Sequence, residues 1–262
     1  MPKRKLKKFA DLKLMPFVLE YPYDRLEREA FPFRGLWQSD FFRSPSPLTI
    51  ELGCGGGEYT VDMAAHNPHG SYIGIDRKGA RMWTGAQSTL KSGLSNVAFL
   101  RTDIDLINRF FAPREVAEIW ITFPDPMMKK WRRRLVSSVY LAKYAQILSP
   151  DAVIHLKTDS PFLYQYTLSL LQVNGIRPLV ETDDLYSDQA ASLRASLPDV
   201  QTRYEKQWIA RGLSIKYISF TLPAGQMTFC EPPEEPPHDD YRAFVEGSPL
   251  LEEAIAQAKK KL

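Results

Sequence analysis

Four glycines, at 53, 55, 56 and 57, stand between Glu51 and Glu58 in IELGCGGGEY, and their spacing is the first in this chain to suggest chemistry. Glycines let a backbone turn sharply where a strand hands over to a helix, and let it approach a ligand closely. An acid closes the next apolar run: Asp76 in YIGID, twenty-three positions after Gly53. Together they outline a nucleotide-type cofactor site, with the carboxylate accepting hydrogen bonds from ribose hydroxyls. A third acid, Asp103 in FLRTDID, stands at or just past the end of a further apolar run, where an adenine amino group could be read. A helix N-cap is the alternative reading of Asp103.

A dinucleotide and S-adenosylmethionine both fit that outline. The fine pattern departs from G-x-G-x-x-G, because Glu58 occupies the sixth position from Gly53. Glu51 would oppose a pyrophosphate, which seeks exposed helix N–H groups without a competing anion. The same carboxylate suits the ammonium of a methionine moiety. Three acids at successive strand ends therefore favour S-adenosylmethionine over NAD.

A second constellation lies in ITFPDPMMKKWRRRL, residues 121 to 135. Asp125 sits between Pro124 and Pro126, which restrict the backbone on both sides and fix the aim of the carboxylate. Lys129, Lys130, Arg132, Arg133 and Arg134 follow at once. A bland reading is a surface turn leading into a basic first turn of a helix. Amino-methyltransferases of nucleic acids carry a D/N-P-P-aromatic turn at this place, which holds an exocyclic amine. The Phe-Pro-Asp-Pro order here points to another acceptor atom.

Short apolar runs must position these groups. LTIEL (48–52), SYIGI (71–75), VAFL (97–100), AEIWITF (117–123) and AVIHLK (152–157) read as strands, nearly continuous in hydrophobics as expected when both faces are covered. Residues 58–67, 79–93, 105–111 and 132–148 read as helices between them, with Leu135, Val139, Ala142, Ala145 and Leu148 at helical spacing in the last. Five such repeats imply an α/β fold with a doubly wound, mostly parallel sheet. A helix over 160–175 and the run LSIKYISFTL (213–222), an added antiparallel strand, complete it. In such a sheet the loop after the fourth of these strands lies beside the glycine turn, so Asp125 falls next to the cofactor's reactive end.

The totals set outer bounds. At 262 residues the chain holds one large domain, over 46–225, with a basic lead-in over 1–45 and an acidic, proline-rich segment and helical tail over 226–262. Net charge is only +3, yet cations cluster at Lys3, Arg4, Lys5, Lys7 and Lys8, at 129–134 and at Lys259 to Lys261, a distribution suited to a polyanionic partner. Either terminal tract alone reads as a solvated tail. Two cysteines, Cys54 and Cys230, give neither a disulfide framework nor a metal site. No apolar run would span a membrane, and no h-region follows the basic start, so a cytoplasmic protein is expected, as monomer or homodimer.

The residues converge on a family. From about 48 to 222 the chain resembles the bacterial tRNA (guanine-N7)-methyltransferases of the TrmB type. The resemblance rests on ELGCGGGEY, IGID, ITFPDP followed by KK and a basic run, LKTDS, and TRYE before IARGLSIKY. FPDP with KK is the specific part; the glycine loop is shared by most class I S-adenosylmethionine-dependent methyltransferases, whose Rossmann-like fold is then expected. One departure is that Met127 and Met128 stand where the family has Trp-Pro, before a compact WRRR. The resemblance implies methyl transfer to guanine N7, at position 46 of the tRNA variable loop. It also implies cofactor contacts at Glu51, Gly53, Gly55, Asp76, Asp103 and Asp125, and substrate contacts at Lys129, Asp159, Thr202, Arg203, Tyr204 and Glu205.

The chemistry is consistent with that assignment. Guanine N7 has a lone pair and no proton, so no general base is needed, and positioning supplies much of the rate. The acceptor becomes cationic, which the Asp125 carboxylate would stabilise. Guanine N1–H and the 2-amino group are donors, for which Asp159 and Glu205 are suitable acceptors. Exposed cations would engage RNA phosphates. Alternatives are a methyltransferase of the same fold acting on another RNA or a small molecule, and an RNA-binding protein without activity.

Overall fold

The computed structural model describes residues 2–238, except for the side chains of residues 2–4 and of Arg203. The tail over 239–262, with Lys259 to Lys261, lies outside the described residues.

Eight strands are formed: β1 (Val18–Glu20), β2 (Leu48–Leu52), β3 (Ser71–Asp76), β4 (Val97–Arg101), β5 (Val116–Thr122), β6 (Leu148–Thr158), β7 (Val180–Thr182) and β8 (Lys216–Thr221). They make one sheet in the order β1-β4-β3-β2-β5-β6-β8-β7. Strands β1 to β6 pair in parallel, and β8 runs antiparallel to both β6 and β7. The sheet is thus doubly wound and Rossmann-like, with the added antiparallel strand where LSIKYISFTL predicts it. Chain order reverses between β2 and β5, whose registers align Leu52 with Ile121. Their carboxyl ends, with that of β3, open on the same crevice.

The helices are α1 (Pro2–Lys13), α2 (Tyr23–Leu26), α3 (Glu58–His66), α4 (Gly79–Ser92), α5 (Ser138–Ala145), α6 (Pro161–Val173), α7 (Ala191–Ser196) and α8 (Arg203–Ala210). Helix α4 stops at Gly93, which takes the left-handed conformation of a C-cap. Helix α6 starts at Ser160, whose hydroxyl accepts from the Leu163 amide, with Pro161 at the first helical position. Every residue of β2 is buried, including its two polar residues, Thr49 and Glu51. One face of the sheet packs around Trp37, Phe110, Phe111 and Tyr144, the other around Tyr59, Phe99 and Trp120. Each such side chain contributes about 1.5–3 kcal/mol of burial.

Three segments differ from their sequence reading. The lead-in is woven into the fold: β1 adds to the sheet edge against β4, and Tyr21, Phe31 and Trp37 enter the core. Its helix α1 docks on α4, where Lys8 Nζ lies 4.6 Å from the Trp83 ring and the Trp83 indole donates to Asp11 at 2.9 Å. The helix expected over 132–148 is broken. A 3-10 turn covers Trp131–Arg133, the chain then runs irregularly, and α5 spans only Ser138–Ala145 before β6 begins at Leu148. Arg134, at the break, is fully buried. Its guanidinium donates to the carbonyls of Pro126 (3.1 Å) and Met128 (2.9 Å). Finally, residues 105–111, read as a helix, form a 3-10 helix over Ile104–Arg109.

Candidate active site

A cavity of about 600 Å³ opens at the carboxyl ends of β2, β3, β4 and β5. Of the residues singled out in the sequence, Glu51, Gly53, Gly55, Asp76, Asp103, Asp125, Thr202 and Tyr204 line it. Lys129, Asp159 and Glu205 do not. The Arg203 side chain lies outside the described residues.

The glycine turn is held by backbone and by acid. Gly53 and Cys54 donate their amides to the Ile75 carbonyl at the end of β3, and Gly55 donates to Asp76 Oδ2 at 2.9 Å. The other Asp76 oxygen accepts from the Lys78 amide at 2.6 Å. Gly53 and Gly55 have positive φ, and a Cβ on either would find no atom nearer than 3.9 Å, so their backbone faces open cavity. Gly57 is confined for another reason: a Cβ there would meet the Phe99 ring at 2.6 Å. The turn therefore lies flat on the second core before α3 begins.

Glu51 forms the floor, 2% exposed. Its Oε2 accepts from the Thr60 amide (3.0 Å) and hydroxyl (2.5 Å), and its Oε1 from the Thr122 hydroxyl (2.8 Å). Burial outweighs these three bonds, and with the nearby Asp76 charge lifts the carboxyl to about 7. A carboxylate so placed gains from a cation brought against it. Asp103 does what its alternative reading requires, capping the 3-10 helix by accepting from the Asp105 amide at 3.4 Å, while Arg77 lies 3.6 Å from its other oxygen. It lines the cavity as well.

Asp125 is exposed at the opposite wall, in a corner braced from both ends. Its Oδ1 accepts from the Met127 amide at 2.9 Å, and the Phe123 amide donates to Lys157 O at 2.8 Å. Phe123 and Met127 have φ of +49° and +47°, each costing about 1–2 kcal/mol in a non-glycine residue. Strain of this kind persists where the surroundings over-determine the backbone, commonly at functional sites. The Phe123 ring meets Tyr204 at 5.5 Å, tying the corner to the start of α8.

In TRYE, Thr202 is the N-cap of α8. Thr202 Oγ1 accepts from the Glu205 amide at 3.1 Å. The Glu205 carboxylate points inward, fully buried, 2.6 Å from Lys157 Nζ and 2.8 Å from the Tyr186 hydroxyl. Burial pulls the Lys157 ammonium below the ordinary lysine range against the pull of Glu205. Asp159, 8% exposed beyond β6, is likewise buried. Neither acid lines the cavity in this structure.

Sequence reasoning passed over Arg77, Lys78 and Arg81, exposed cations on the cavity wall directly after Asp76. The cation run RKGAR was the available signal. With Arg133 they set positive charge around an acidic floor, an arrangement that takes a cationic group deep and a polyanion outside. His155 is a core residue: it stacks on Trp120 with ring centres 4.1 Å apart and meets Tyr217 and Glu118 through its two nitrogens. Cys54 is buried in the turn, where burial pushes its thiol up. Among the described residues no helix is long and apolar enough to cross a membrane, and no three His, Cys, Asp or Glu side chains gather as a metal would need.

Comparison with known proteins agrees with this geometry. Residues 45–218 match a family described as "Putative methyltransferase". The tRNA (guanine-N(7)-)-methyltransferase of Porphyromonas gingivalis is 49% identical over 89% of this chain and 96% of its own length. That of Bacteroides fragilis is 46% identical over 93% and 95%, and that of Levilactobacillus brevis 34% over 75% and 91%. Among solved structures, the 16S rRNA methyltransferase KamB superposes with a TM-score of 0.53 at 16% identity, covering 78% of this chain and 96% of that one. An antibiotic-related methyltransferase gives 0.51 at 19%, covering 70% and 90%. These two share the class I methyltransferase fold. The chain belongs to the tRNA (guanine-N(7)-)-methyltransferase family, of the TrmB type.

Proposed function

We propose that this protein transfers a methyl group from S-adenosylmethionine to guanine N7 of tRNA, at position 46 in the variable loop, in the cytoplasm. The observation that carries the reading is a single cavity bounded by the buried Glu51, the glycine turn and the braced Asp125, in a chain 49% identical to a tRNA (guanine-N(7)-)-methyltransferase.

The donor fits the residues present. Glu51 would hold its ammonium, Gly53 and Gly55 would let the turn lie close against its methionyl chain, Asp76 would take its ribose hydroxyls and Asp103 its adenine amino group. When bound, S-adenosylmethionine supplies a sulfonium methyl open to in-line displacement by the N7 lone pair. No residue has to remove a proton, and none of the acids in the cavity is assigned that task. Asp125 counters the positive charge that builds on the base, aimed by Pro124, Pro126 and the Met127 amide. Lys129 and the Thr202–Tyr204 turn are the proposed substrate contacts, with Glu205 bracing that turn from inside through Lys157. Arg77, Lys78, Arg81 and Arg133 draw in phosphates.

The test is transfer of labelled methyl to bulk tRNA from a strain lacking N7-methylguanosine, followed by nucleoside analysis and mapping. Label in N7-methylguanosine of the variable loop is expected. Label in another nucleoside, or in none, would overturn the proposal.

A further inference from the structure

The acidic, proline-rich segment CEPPEEPPH (230–238) has no part in the chemistry above, yet it is bound to the body of the protein at defined points. The Cys230 amide donates to Asn174 Oδ1 at 2.8 Å, and Asn174 Nδ2 donates back to Cys230 O at 2.8 Å. Glu231 accepts from the Ser138 amide at 2.8 Å, capping α5, and from the Tyr166 hydroxyl at 2.6 Å. Glu235 accepts from Arg134 Nη1 at 2.7 Å. Pro232, Pro233, Pro236 and Pro237 flank the acids and pre-set an extended backbone, which lowers the entropy lost when the segment lies down.

Arg134 is the link to the site. Its side chain is fully buried, lies 4.8 Å from the Phe162 ring and 4.4 Å from the Tyr166 ring, and donates to the carbonyls of Pro126 and Met128. Those carbonyls flank Met127, the left-handed residue whose amide fixes the Asp125 carboxylate. A buried guanidinium requires a counter-charge. Glu235 supplies it, and the Arg134 hydrogen bond holds the Glu235 carboxyl below the ordinary glutamate range.

We propose that Glu235 is a positioning residue for methyl transfer: by fixing Arg134 it holds the Pro126–Met128 backbone in the strained form that aims Asp125. The inference rests on the reading of Asp125 given above. A misplacement of about 1 Å in a reacting group costs on the order of a hundredfold in rate, so loosening this corner should appear in the chemical step first.

The full-length protein with Glu235→Ala or Glu235→Gln tests it. Glu234→Ala, an exposed acid of the same segment, controls for net charge. Single-turnover transfer to tRNA, calorimetric S-adenosylmethionine binding and amide hydrogen exchange are measured on each. Glu235→Ala should slow transfer about tenfold at saturating tRNA and donor, with donor Kd within twofold. Exchange should quicken over 126–134 and stay unchanged in β2 to β5. Glu235→Gln, which keeps a hydrogen-bonding partner, should fall between, and Glu234→Ala should match the parent. Unchanged transfer and exchange in Glu235→Ala would overturn the proposal. So would a loss of protection across the whole sheet in both Glu235 variants, which would make the segment a stability clamp only. Should the parent protein itself fail to methylate tRNA, the functional reading fails instead, and exchange over 126–134 still reports whether Glu235 holds the corner.

Discussion

The Thr122 hydroxyl donates to Glu51 Oε1 at 2.8 Å, joining the carboxyl ends of the two parallel strands between which the strand order reverses. Glu51 ends one wall of the crevice, and Phe123-Pro124-Asp125 follows Thr122 on the other. The carboxylate at the floor and the corner that carries Asp125 are therefore one hydrogen-bonded unit, so the state of Glu51 bears on both.

Donor binding should depend on pH through Glu51. Burial, opposed by the Thr60 and Thr122 hydrogen bonds, raises this carboxyl to about 7, so the ligand-free fold keeps a proton that an unfolded glutamate has lost. Fold stability from this group is accordingly greatest below the unfolded value near 4.5 and declines as pH rises toward about 7. A cationic ligand favours the ionised form, which reverses the sign for binding. Affinity for S-adenosylmethionine should be about tenfold higher at pH 8 than at pH 6, with proton release on binding below pH 7. Calorimetry in buffers of different ionisation enthalpy measures both. Glu51→Gln should bind weakly and show less than a twofold change over that range.

Lys157 and Glu205 form a buried pair at 2.6 Å, with exposures of 3% and 0%. Lys157→Met strands a carboxylate in the core and should cost about 3–5 kcal/mol by urea unfolding. Lys157→Met with Glu205→Gln removes both charges and should recover more than half of that loss. A single variant that lost under about 1 kcal/mol would show the pair to be unimportant to the fold.

The exposed cations should act on RNA and the buried one should not. Lys129 and Lys130 are both exposed on the loop after Asp125. Replacing both with Ala should raise the tRNA KM and lower the slope of log affinity against log salt by about 1.5, as expected for two lost phosphate contacts. Donor affinity should not change. An unaltered salt slope would make these lysines ordinary solvated surface.

Much of this was legible because the signals are local. The glycine turn, the acids after apolar runs and the two prolines around Asp125 each sit within a few residues of what they position. Asp103 carried two meanings, and the structure gives it the cap together with a place on the cavity wall. Arg134 is grouped in the sequence with the RNA-facing cations of 129–134, because its partner Glu235 is 101 positions away and no periodicity links them. The helix predicted over 132–148 is interrupted around this same residue, where apolar spacing alone looked continuous. Strand β1 escaped notice because it has three residues and gains its place only by pairing with β4. Thr202 had a legible signal, a threonine just before a helix, and the structure makes it the N-cap of α8.

The central claim is that Asp125 acts on the methylated base across a crevice it shares with the donor. Its most direct test is the single-turnover rate of N7-methylguanosine formation in tRNA by Asp125→Ala, read beside its donor affinity. Asp125 is exposed, so the variant should fold normally, bind S-adenosylmethionine within about threefold of the parent and transfer about a hundredfold more slowly. An Asp125→Ala protein that methylated N7 at the parental rate would contradict the account.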